Sequence, residues 1–295
     1  MIAGVSLAWW VGFHVVVAAI LIADSFLPGH RAETRNSQRA AWLGTLALAL
    51  AAAAFAGWIA ISMGRKTALE FVAGYAIEAS LSIDNLFVFL VLFEGFRINR
   101  QQQHEALLWG VWGAFVLRAA FIAAGITLLQ RLDWITWVFG AFLLYAAWRV
   151  ARSGSPRSAM PHWIVKLQPA KGSLLPVILA VEATDLLFAT DSIPAVLSVT
   201  HNPFVAYTSN VAAILGLRSL YFALSSMLDR FKYLHYGLAA ILAFAALKIL
   251  ADPWFEVPAT VSLAVIGGIL AVCAIVSALK DKQKTTGEQG LGTRN

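Results

Sequence analysis

Cysteine is almost missing from this chain: Cys273 stands alone, which excludes an intrachain disulfide and any thiolate-rich metal centre. Charge is scarce too, since Asp, Glu, Lys and Arg make up only 13% of 295 residues, about half the share of an ordinary soluble domain. No HExxH helix, Ser/His/Asp set or Gly-rich phosphate loop occurs, so the sequence reads as a non-enzyme with no permanently bound cofactor. The opening "MIAGVSLAWW" has no basic stretch ahead of its apolar residues, and no small-x-small cleavage pattern follows. It reads as a retained span, not a signal peptide.

Apolar residues take up the space: 60% of the chain is hydrophobic, with 11 Trp and a mean hydropathy of +0.73. That composition fits a polytopic membrane protein. Nine apolar runs are long enough to span, at roughly 5–23, 41–63, 69–93, 105–129, 134–150, 173–199, 204–228, 234–251 and 256–279. The expected fold is therefore all-α, with about nine transmembrane helices. The net charge of +6 falls in the loops, which points to membrane topology and away from nucleic acid. Of 22 Lys and Arg, 16 fall on one set of alternate loops, four on the other, and Arg118 and Arg218 lie within spans. By the positive-inside tendency the N-terminus is expected outside and the C-terminus in the cytoplasm.

Residues 1–68 are expected to hold two spans, 151–172 a Ser/Pro/basic cytoplasmic linker, 252–279 the ninth span and 280–295 a disordered cytoplasmic tail. Between them, 69–150 and 173–251 carry a repeat. Asp84-Asn85 in the first unit matches Asp191-Ser192 in the second, and six residues upstream each has an acid, Glu78 or Asp185. In the next span each has a buried arginine, Arg118 or Arg218, and in the third "AFLLYAAWR" lies over "AILAFAALK". A three-span unit repeated in tandem must enter the membrane from opposite faces. Inverted repeats of this kind are typical of secondary transporters, with the substrate near the midplane.

Five carboxylates lie deep in these runs: Glu78, Asp84, Glu182, Asp185 and Asp191. A charged group at a helix centre costs about 2.5–3.5 kcal/mol on insertion scales, so the acids need partners, water or an ion. Arg118 and Arg218 supply counter-charge, yet two arginines cannot pair five acids. The ionised cluster sums to −3, which one divalent cation would lower to −1; protons would do likewise, so cation and proton are expected to compete for one site. Glu78 and Asn85, and likewise Asp185 and Ser192, are seven apart and share a helix face. Pro194 is expected to kink or unwind "ATDSIP" and free the Thr190 carbonyl as an extra ligand. Oxygen donors in this number suit a hard divalent ion, Mn²⁺, Mg²⁺ or Ca²⁺.

The stretches "EASLSIDNLFVF", "VEATDLLFATDSIPAVLSVT", "SNVAAILGLRSLYF" and "YGLAAILAFAALKIL" together resemble the TerC family, in its Alx-like branch, from about residue 5 to 280. The resemblance implies a nine-span bacterial inner-membrane protein of LysE-like transporter architecture, associated with tellurium resistance by name and manganese export by function. It marks Glu78, Asp84, Asn85, Glu182, Asp185, Asp191, Ser192 and Pro194. The function it leads one to expect is export of Mn²⁺ through an acidic midplane site, with Mn²⁺, protons and the lipid bilayer as partners and no nucleic acid. A membrane scaffold in an envelope-stress or tellurium-resistance complex, or an exporter of another small solute, are the alternatives.

Overall fold

A lipid-spanning segment must satisfy its backbone within itself, so apolar runs of this length become helices. The computed structural model describes residues 5–26, 35–124, 133–156, 173–228, 234–251, 254–255 and 257–291. Among them are nine α-helices and no strand: α1 (Leu7–Phe26), α2 (Arg35–Ser62), α3 (Arg65–Phe96), α4 (Arg100–Ala124), α5 (Asp133–Ser153), α6 (Leu175–Val199), α7 (Pro203–Leu228), α8 (Leu234–Ala251) and α9 (Ala259–Leu291). Of the expected linker, residues 157–172 lie outside the described residues, as does the side chain of Asp191.

Among the described residues four stretches are long and apolar enough to cross a membrane, Arg39–Ser62, Arg65–Phe96, Arg100–Ile122 and Thr260–Ser277, with shorter apolar helices at Leu7–Ile22 and His235–Ala251. Large apolar side chains such as Leu43, Leu50, Val116, Val138 and Leu144 point outward. In water such a surface would aggregate; in lipid it is matched. Trp137 meets Trp254 edge to face at 5.3 Å where α5 begins near the C-terminal end of α8, as interfacial aromatics do. The chain is a multi-pass membrane protein.

One helix boundary and one kink differ from expectation. The polar stretch 280–291, expected to be disordered, continues α9 to Leu291; its Lys-Asp-Lys-Gln-Lys run is of residues that extend a helix readily. Pro194 does not break α6, which is helical throughout from Leu175 to Val199. One missing backbone bond is tolerated where neighbouring helices pack around the segment.

The helix ends are set by local chemistry. Arg97 adopts φ 57° beyond α3, and its N–H turns back to the Glu94 carbonyl at 3.1 Å. Asn99 then caps α4 reciprocally, its Oδ1 accepting from Gln102 N at 2.9 Å while its N–H donates to Gln102 Oε1 at 3.0 Å. This tight turn sets the direction in which α4 leaves α3. At α7, Asn202 Oδ1 caps Phe204 N at 3.0 Å, with Pro203 as first helical residue.

Close backbone packing runs crosswise. α3 lies against α6 and α7, α4 against α6 and α7, and α5 along α8; α2 covers α7 and α3, and α9 leans on α8 and α3. α3 is the central element, buried from Leu86 through Phe93 in the main apolar cluster.

Candidate functional site

Within that cluster α3 turns a polar face toward α4, α6 and α7. Glu78, Ser82 and Asn85 recur at helical spacing and are all buried. The Glu78 carboxylate is fully engaged: Oε1 accepts from Ser82 Oγ at 3.0 Å and from Arg118 Nη2 at 2.9 Å, and Oε2 accepts from Asn210 Nδ2 at 2.8 Å. Arg118, with no exposed surface, bridges onward to Asp185 Oδ1 at 3.2 Å and Ser192 Oγ at 3.1 Å. One guanidinium thus ties α3 to α6 through two carboxylates, a geometry its planar fork suits.

A second ion pair lies on the same helix. Lys248 of α8 donates from Nζ to Asp84 Oδ2 at 3.0 Å, with side-chain exposures of 6% and 1%. Lys248, one of the four bases that the sequence places with the second set of loops, is a buried counter-charge. Arg218 is the third buried base. It contacts the His104 imidazole on α4, near Tyr221, whose hydroxyl donates to Gln103 Oε1 at 3.2 Å. His104 therefore joins the buried polar network although its position in the sequence looks peripheral. Between Arg218 and Asp185 lies a void of about 20 Å³ lined by Phe89 and Leu217, no larger than a single water needs.

Several buried oxygens find no hydrogen-bond partner among the described residues: Asp84 Oδ1, Asn85 Oδ1, Asp185 Oδ2, Asn210 Oδ1 and both oxygens of Glu182. Glu182 faces Gly113 of α4 so closely that any Cβ there would collide with its carboxylate. Among the described acids, Glu78 and Asp185 hold Arg118, Asp84 holds Lys248, and Glu182 lies one turn before Asp185 on α6 without a hydrogen-bond partner. No three His, Cys, Asp or Glu side chains converge on one point among the described residues. Asn210 and Ser82 are further members that the repeat pattern passes over, because each belongs to only one unit. Glu70, one turn into α3, accepts from Thr200 Oγ1 at 2.8 Å.

The family model described as "Integral membrane protein TerC family" matches residues 63–285, which include every residue of these two ion-paired clusters. The chain belongs to the TerC family. Relatives from Salmonella typhi and from Escherichia coli K12 carry the name Alx, with a proposed role as membrane-bound redox modulators. They are 38% and 39% identical, covering 93% and 91% of this chain and 95% and 94% of their own. An uncharacterized membrane protein of Myxococcus xanthus is 36% identical over 95% of this chain and 94% of its own. None of these names is an enzyme's. No solved structure matches this TerC-family chain.

Proposed function

We propose that this protein is a secondary transporter that exports a divalent cation, Mn²⁺, across the bacterial cytoplasmic membrane. The carrying observation is the set of unpartnered buried oxygens on α3 and α6, Asp84 Oδ1, Asn85 Oδ1 and Asp185 Oδ2. Each such atom costs free energy until something supplies a proton or positive charge. Lys248 also changes the charge count: the five carboxylates with Arg118, Arg218 and Lys248 sum to −2. One divalent cation cancels that. All-oxygen donors favour a hard ion.

The crosswise packing supports reading α3–α5 and α6–α8 as inverted units, since exchanging the two sets maps α3·α7 onto α6·α4 and leaves α5·α8 unchanged. In this reading Asp84 and Asp191 are central ligands and Glu78, Asn85, Glu182, Asp185 and Ser192 complete or tune the shell. Arg118 holds the carboxylates while the site is empty. The N-terminus lies outside, and alternating access with inward proton movement drives export.

The test is to express Asp84→Asn and Asp185→Asn in a manganese-sensitive bacterium and measure cell-associated Mn. Both variants, at parental protein level, should let Mn rise to that of cells without the protein. Retained export by both would sink the ligand assignment. Purified protein in liposomes should give Mn²⁺-dependent flux; its absence would favour a scaffold role. A redox reading drawn from the relatives' names would need a carrier other than an intrachain disulfide, because Cys273 is the sole cysteine.

A further inference from the structure

Two basic groups cover the acids, and they are held differently. Arg118 is locked by Glu78, Asp185 and Ser192 together. Lys248 makes one side-chain hydrogen bond among the described residues, to Asp84 Oδ2, while Asp84 Oδ1 has no partner among them. An ammonium is a compact charge on a flexible four-carbon stem, whereas a bridging guanidinium is fixed in its fork. Uncovering a buried carboxylate is costly, so Asp84 must be covered in every state the protein visits.

From this contrast we infer that Lys248 is a tethered counter-cation at Asp84, which the transported ion must displace to bind and which returns to the carboxylate as the ion leaves. The inference rests on the transport reading above and adds the device that sets affinity and turnover. Asp84 carries one negative charge and satisfies either Lys248 or part of a divalent ion's shell, not both at full strength. A ligand able to bind only one of two states shifts the equilibrium by its differential affinity. Lys248 therefore subtracts from Mn²⁺ affinity and in exchange lets the site empty. Position supports the exchange: α8 carries Lys248 in its last turn, packed along α5, so the stem approaches Asp84 from outside the Arg118 cluster.

The experiment is Mn²⁺ titration of the purified full chain at pH 7.5, paired with flux in liposomes. Lys248→Met, which keeps the stem and removes the charge, should bind Mn²⁺ about tenfold tighter or more, within the range of ordinary site-to-site coupling, and should release it more slowly, lowering flux. Lys248→Arg should bind Mn²⁺ more weakly than Lys248→Met. Metal-free Lys248→Met should unfold at a lower temperature than the parent and recover with saturating Mn²⁺. Should Lys248→Met fail to fold, Lys248→Gln carries the same test. Unchanged or weaker affinity in the neutral variant overturns the inference while leaving transport intact. A parent that neither binds nor carries Mn²⁺ overturns the transport reading itself.

Discussion

Arg118→Leu should cost about 3–5 kcal/mol of unfolding free energy, the range found when one partner of a buried ion pair is removed. The guanidinium has no exposed surface, and its loss strands Glu78 and Asp185 on facing helices with no other base bonded to either among the described residues. Leucine fills most of the volume, so the effect is electrostatic rather than a cavity. Denaturant unfolding in detergent, followed by the fluorescence of the 11 tryptophans, reads it directly. Adding Glu78→Gln and Asp185→Asn should restore most of the loss, because neutral amides need no counter-charge. A triple variant as unstable as Arg118→Leu alone would show that packing, not charge, governs this position.

Gly113→Val should cost about 1–2 kcal/mol, in the lower part of the range for overpacking, because the atoms its Cβ meets are the movable end of the Glu182 side chain. The Cβ would land on the Glu182 carboxylate, so either α4 and α6 separate or Glu182 leaves its place. Shortening the obstacle with Glu182→Ala in the same chain should recover most of that loss. Gly57→Val is the internal control: nothing lies within 4 Å of its added Cβ, and its effect should stay within about 0.5 kcal/mol. Loss of stability at Gly57 equal to that at Gly113 would point to helix propensity in place of the carboxylate contact.

The helices were legible because lipid leaves the backbone few choices, so runs such as 204–228 and 234–251 map almost directly onto α7 and α8. The pairing of Arg118 with acids of both units was legible in kind, since two units each carrying an acid and an arginine must balance charge locally. Lys248 was not. It bonds Asp84 across 164 positions, and a lysine near the end of a span is indistinguishable in sequence from one that snorkels to the interface. Arg218 also meets a group that the repeat does not mark, the His104 imidazole on α4. Pro194 marks a lost hydrogen bond, but whether a helix opens there depends on its neighbours, which a local pattern does not contain.

Crosswise packing also sets an order of events in the making of the protein. Glu78 and Arg118 emerge from the ribosome together, while Asp185, Ser192 and Asn210 follow only after the connection beyond residue 156. Until then α3, α4 and α5 sit in the bilayer with their inward faces toward lipid or translocon, since the surfaces they pack against belong to α6, α7 and α8. The first set cannot mature as an independent piece. Glu78 has Arg118 within its own set, but Asp84 gains Lys248 only when the second set arrives, so the interval between the two leaves that carboxylate without its counter-charge.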